Sequence, residues 1–174
     1  MPPLPELQVR PLGEPDLPAY KALRDHALTH HEEAFTSDAA TEALRSAASY
    51  RTRLGATPQD SFTLGAWRGD RLVGAISCER DARIKVRHIG HIIGTMVIQD
   101  QQAQGVGRGL LDALIARAST DDELHQLTLS VTSGNQAAVR LYQSAGFTRY
   151  GTLPRAIHVA GRFHDKDLMV LQLR

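Results

Sequence analysis

A chain of 174 residues with 20 basic and 19 acidic side chains, formal net charge +1, is long enough to bury a real core in one domain. Its interspersed charges form neither a tail nor a polybasic patch, which argues against nucleic acid as a main partner. No apolar run approaches the roughly 20 residues of a membrane span, and "MPPLPEL" has neither the basic start nor the apolar core of a signal peptide, so a soluble, cytoplasmic protein without a membrane partner is expected.

In chain order, residues 1–7 read as a flexible N-terminus and 8–174 as one domain. "LQVRPL" reads as a first strand. A helix opens near Asp16 with apolar positions at Leu17, Tyr20, Leu23 and Ala27, and a second helix is expected over residues 38–54. Two β-rich runs then flank Arg-Gly-Asp, which is hairpin chemistry because glycine supplies the positive φ. Cys78 is the only cysteine, so no internal disulfide can form; within "LVGAISC" it reads as a buried, inert thiol rather than a nucleophile.

"IKVRHIGHIIGTMVI" is a long β-branched stretch in which Gly90 and Gly94 mark a bend, a bulge or a close backbone approach. It runs into "QQAQGVGRG", after which Val106, Leu110, Leu111, Leu114, Ile115 and Ala118 recur at helical spacing. "QLTLSV" alternates as a strand. The helix "NQAAVRLYQSAG" has Asn135 as N-cap and Gly146 as C-terminal glycine, and the remainder reads as two strands around Ala-Gly-Arg. The result is an α/β or α+β chain with a mixed sheet and helices around it.

A strand, a glycine loop and a helix N-terminus make an anion site, because free backbone N–H groups converge there and the helix dipole favours negative charge. Gly105 and Gly107 let the backbone approach phosphate oxygens, and Arg108 adds a formal charge. A loop whose glycines merely permit tight turning is the plainer reading. The dinucleotide fingerprint fails because position 110 is leucine, and no Walker-type Gly-Lys-Ser/Thr is present.

"QAQGVG" matches the Q/R-x-x-G-x-G/A pyrophosphate signature of the GCN5-related N-acetyltransferase superfamily at Gln102, Gly105 and Gly107, and the chain resembles that superfamily from about Gln8 to Leu173. A strand ending "TMVI" precedes the signature and "VTSGNQAAVRLYQSAGF" follows it, as in that family. The resemblance implies the acyl-CoA N-acyltransferase fold: a mostly antiparallel sheet with a splayed parallel pair, flanked by helices on both faces. It also implies acetyl-CoA as cosubstrate, a small-molecule or peptide amine as acceptor, and dimerisation as a family habit that would make this chain a homodimer.

By position in that family, Thr95, Met96 and Val97 supply the strand edge for pantetheine. Ala103, Gln104, Gly105, Val106, Gly107 and Arg108 hold the pyrophosphate, and Asn135 touches the pantetheine arm as well as capping its helix. Tyr142, seven residues past Asn135, falls at the tyrosine that protonates the leaving sulfur; packing with the OH as a polar handle is its plainer role. An alkylammonium acceptor is neutral only in a small fraction at pH 7, a penalty of about 4 to 5 kcal/mol that a base offsets.

That base is where the sequence departs from part of the family. Ser130 stands where some members carry glutamate, a poor base that can position a water. His91 stands eleven residues before Gln102, at another family glutamate position, and imidazole is the side-chain type that exchanges protons near neutral pH. It is the leading candidate and His88 the next. No metal is expected, since the sequence has no H-x-x-x-H helix and no Cys/His cluster.

The acceptor is expected between the first two helices and the last hairpin, near "HHEEAFTSD" and "PRAIHVAGRFHD". There Glu32, Glu33 and Asp38 either attract a cationic amine or are solvated loop charges. Two readings compete with an acetyl-CoA-dependent N-acetyltransferase. One is a non-catalytic acyl-CoA-binding regulatory module; the other is a generic anion-binding domain. Within enzymes, a different acyl-CoA donor or a hydroxyl acceptor is the runner-up.

Overall fold

A computed structural model describes residues 3–55 and 61–174; Met1 and Pro2 of the expected flexible N-terminus lie outside the described residues. Seven strands form one sheet: β1 (Leu7–Pro11), β2 (Ser61–Arg68), β3 (Arg71–Arg80), β4 (Ile89–Val97), β5 (Gln126–Thr132), β6 (Thr148–Val159) and β7 (Arg162–Gln172). Their order is β1-β2-β3-β4-β5-β7-β6. The β4–β5 pair is parallel and its neighbours are antiparallel. The helices are α1 (Leu17–His30), α2 (Ala39–Ala43), α3 (Val106–Ser119) and α4 (Gln136–Ser144), and none is long and apolar enough to cross a membrane.

Two helices grip the sheet from opposite faces. From α3, Val106, Leu110, Leu111, Leu114 and Ala118 are buried, the stripe their spacing predicts. They pack so closely that a Cβ on Gly74 of β3 would come within 2.9 Å of Val106 and 3.0 Å of Leu110. From α1, Leu17, Tyr20, Leu23 and Ala27 are buried, and the Tyr20 hydroxyl lies 3.6 Å from where a Cβ of Gly94 on β4 would stand. Cys78 lies in this core, buried as expected, and burial pushes its thiol up to about 12, which disfavours the thiolate.

The expected helix over 38–54 does not form as one piece. The chain makes α2, then adopts an extended conformation at Ser46 (φ −71°, ψ 153°), then a 3-10 turn at Ala47–Tyr50. The physical reason is a buried carboxylate. Glu42 accepts hydrogen bonds from Arg24 of α1 (3.0 Å), from Arg45 (3.0 Å) and from the Tyr50 hydroxyl, and the chain bends to bring Tyr50 to it. Burial alone would raise this carboxyl, but the three donors outweigh it and hold the group at about 2.

Candidate active site

The parallel pairing that joins the two halves of the sheet is short. Residues Ile89, Gly90 and His91 pair with Gln126, Leu127 and Thr128, and beyond them β4 and β5 have no pairing with each other. The cause lies at Gly94, held at φ +59° in a bulge that shifts the β3–β4 register between Ala75 and Ser77. Gly90 serves close approach instead, since a Cβ there would lie 2.8 Å from Leu127 and 2.9 Å from the Cys78 sulfur. A V-shaped cleft of about 1240 Å³ opens where the strands part.

Thr95, Met96 and Val97 line one wall, and Ser130, Val131 and Thr132 the other. The β4 wall presents a strand edge that β5 does not pair, the geometry that accepts an extended ligand as an added strand. At its far end the chain turns through Ala103 (φ +58°) and Gly105 (φ +81°) into α3. The Gly109 amide bonds back to the Gly105 carbonyl at 2.9 Å, so the amides of Val106, Gly107 and Arg108 are those a helix leaves without intrahelical partners.

The loop glycines do different things. Gly105 is needed for its left-handed backbone, with open space where a Cβ would stand. Gly107 would put a Cβ 3.3 Å from Leu141 of α4, so its absence of side chain lets the two helices close together. Arg108 lines the cleft while its guanidinium pairs with Asp112 at 2.8 Å and bonds Ser144 at 3.1 Å. Gln102 also lines the cleft; its amide lies 3.1 Å from His31 Nε2 and 3.4 Å from the Val97 carbonyl. Gln104 instead bonds the Asp100 carbonyl at 3.0 Å and is not part of the lining.

Tyr142 and Asn135 enter from α4. Asn135 caps the helix, accepting from the Ala138 amide at 3.2 Å, and lines the cleft as well. Tyr142 is 6% exposed, packs edge-to-face on Phe147 at 5.9 Å, and faces the cleft. Burial pushes its phenol up from the usual value and hydrogen bonding with Thr95 moderates the shift, so the group keeps its proton at neutral pH.

His91 lies at the closed, paired end of the V and not on the cleft lining; its Nδ1 is 2.8 Å from Thr128 Oγ1. His88 is likewise not part of the lining; its ring meets that of His125 edge-on at 6.1 Å. Ser130 is exposed on the lining.

The segment after α1 spans the mouth. His31 meets Gln102 on one side, and on the other Thr132 Oγ1 donates to the Glu33 carbonyl at 2.6 Å. Glu33 and Phe35 join the lining, whereas Glu32 does not and Asp38 caps α2 through the Thr41 amide at 2.8 Å. His164, within the segment expected to border the acceptor, lines the cleft, and so do Arg53 and Lys166, which sequence reading did not single out. Lys166 carried a signal, a charge in mid-strand; Arg53, within the helix expected over residues 38–54, carried none.

A sheet opened between two parallel strands, with an unpaired edge leading to a glycine-built helix N-terminus, defines a protein shaped to hold an elongated, anionic ligand within the sheet. Residues 20–147 match the Acetyltransferase (GNAT) family, and the chain belongs to that family.

Among curated relatives, an L-methionine sulfoximine/L-methionine sulfone acetyltransferase of Pseudomonas paraeruginosa is 38% identical over 77 residues, 44% of this chain and 44% of its own, so the match spans less than half of that relative. Among solved structures, a GNAT-family acetyltransferase from Streptococcus pneumoniae superposes with TM-score 0.83 at 28% identity, covering 96% of this chain and 99% of that one. A Salmonella typhimurium protein, yncA, solved with its cofactor acetyl-CoA, has the same fold at TM-score 0.85 and 23% identity, covering 97% and 95%.

Proposed function

We propose that this protein is an acetyl-CoA-dependent N-acetyltransferase that acylates a primary amine of a small molecule or peptide by direct transfer. The observation that carries the reading is the continuous path from the free edge of β4 to the N-terminus of α3, with Tyr142 beside it. Family membership and the acetyl-CoA-bound neighbour support it.

Thr95, Met96 and Val97 would hydrogen-bond the pantetheine arm as a strand, and Asn135 would contact it from the other side. Residues Gln102 to Arg108, through the amides of Val106, Gly107 and Arg108 above all, would hold the pyrophosphate, with Gln104 supporting the loop from behind. The thioester supplies an activated acyl carbon, and an amide at Met96 or Val97 would polarise its oxygen. Tyr142, kept protonated by burial, would give its proton to the departing sulfur. Ser130, exposed on the lining, would hold a water that takes the amine proton, and His91, off the lining and bonded to Thr128, would be reached only through further water. The partners are then acetyl-CoA and an amine, with neither nucleic acid nor membrane involved, in the cytoplasm.

Acetyl-CoA-dependent release of free thiol, followed with Ellman's reagent across amino acids, amino-phosphinates, polyamines, aminoglycosides and peptide N-termini, tests this reading. Release stimulated by one amine class supports it. Tight acetyl-CoA binding with silence across the panel favours the non-catalytic module, and displacement of CoA by ATP at equal concentration favours a generic anion site.

A further inference from the structure

The cleft has a charge asymmetry that the transfer chemistry does not use. Among the described residues its lining holds Arg24, Arg53, Arg108 and Lys166 against one carboxylate, Glu33. Two of the cations are accounted for. Arg24 is buried against Glu42 at 3.0 Å, and Arg108 pairs with Asp112 at the glycine-loop end. Arg53 and Lys166 remain, both towards the acceptor end.

Arg53 is poorly satisfied for a guanidinium that is only 23% exposed. Its Nη1 stands 3.5 Å from the Tyr20 hydroxyl, and its Nε stands 3.8 Å from a Glu79 oxygen that is itself 44% exposed and not on the lining. Neither contact is a good charge-assisted bond. The same Nη1 lies 3.9 Å from where a Cβ of Gly94 would stand, so the cation sits beneath the bulge that opens the V. Lys166, on β7 opposite Thr132, comes from the other wall and makes no ion pair among the described residues. Burial pushes its ammonium below the usual value, with no carboxylate to offset the effect.

A half-buried guanidinium held only by long contacts, to the Tyr20 hydroxyl, to Glu79 and to the Tyr50 ring at 6.0 Å, and an ammonium facing it without an ion pair among the described residues, both gain from an acceptor that a ligand brings between them. We propose that the acceptor amine carries a carboxylate close to the amino group, and that Arg53 binds this carboxylate as a planar fork while Lys166 supplies a second charge from the opposite wall. The inference rests on the acetyltransferase reading and narrows its acceptor to free amino acids and close analogues. A polyamine would place a second cation against Arg53 and Lys166, and a peptide N-terminus would place a neutral amide there.

The test compares acceptors that differ only at this group: methionine, leucine and phenylalanine, each against its carboxamide and its decarboxylated amine, in acetyl transfer by the full chain. The acid is expected to exceed both partners in kcat/KM by about tenfold or more, the effect of one charge-assisted pair. Arg53→Gln is expected to bring that ratio close to one, and Arg53→Lys, which keeps charge without the fork, to leave a smaller preference. Equal or inverted preference in the unmodified protein, which needs no variant to fold, overturns the proposal, as does an undiminished preference in Arg53→Gln.

Failure of the transferase reading looks different. If no acceptor is acetylated, the same compounds are titrated calorimetrically into the acetyl-CoA-loaded protein. Tighter binding of the acids then retains the carboxylate site while rejecting the transfer; indifference or no binding rejects the site as well.

Discussion

The Thr132 hydroxyl donates to the Glu33 carbonyl at 2.6 Å, across 99 residues of sequence, and fastens the segment after α1 to the wall of β5. One side-chain bond thus roofs the cleft where β4 and β5 have parted. Thr132 is buried, so Thr132→Val removes the donor with little change of volume and leaves a carbonyl unpaired, a loss of about 1 kcal/mol. The acceptor KM is expected to rise several-fold while the acetyl-CoA KM changes less, which steady-state kinetics with each substrate varied in turn would check.

Tyr142→Phe keeps the ring against Phe147 and deletes the proton donor. Turnover is expected to fall by about 10² or more with acetyl-CoA affinity little changed, as a general acid predicts. Unchanged turnover would leave Tyr142 as a packing residue that spends its hydroxyl on Thr95.

The two loop glycines separate backbone conformation from packing. Gly105→Ala forces an L-residue to φ +81° at a cost of about 1–2 kcal/mol, and is expected to weaken acetyl-CoA binding through the misplaced N–H groups of α3. Gly107→Val drives a branched side chain into Leu141 and is expected to lower the thermal midpoint as well. Calorimetric affinity and a melting curve for each variant would distinguish them.

Glu42 couples stability to pH. Its carboxyl is held at about 2 in the folded chain against an ordinary 4.5, so the unfolded chain takes up protons first on acidification. The stabilisation is present above the ordinary range and is lost as pH falls from about 4.5 towards 2. Glu42→Gln leaves the Arg24 charge buried and uncompensated, a loss on the order of 3 kcal/mol near neutrality. Urea midpoints of both proteins between neutrality and acid should converge as pH falls.

Local pattern made much of this molecule legible. Leu127, Leu129 and Val131 alternate and are buried as a strand; the α3 stripe and both ends of α4 lie where their spacing and caps put them. The broken second helix was illegible because Glu42 finds Arg24 eighteen residues away on another helix, and no local propensity records such a bond. The position of His91 was illegible for a related reason. Gly94 was readable as a bend, a bulge or a close approach, but only the β3–β4 register shows a bulge there, with His91 on its paired side. Arg53 becomes a cleft residue through tertiary placement beneath Gly94, and nothing in "YRTRL" distinguishes it from the arginine two positions earlier.

Direct transfer in one ternary complex is the centre of this account, and a single-turnover experiment reaches it most directly. Protein in excess over acetyl-CoA is mixed with an amino acid acceptor, quenched at intervals, and assayed for thiol, N-acetylated amine and acetylated protein. Thiol and acetylated amine are expected to appear together at one rate, with no acetylated chain at any time and with both products slowed alike in Tyr142→Phe. An acetylated protein that forms before the product, or acetyl-CoA that binds and persists unchanged beside the amine, would contradict it.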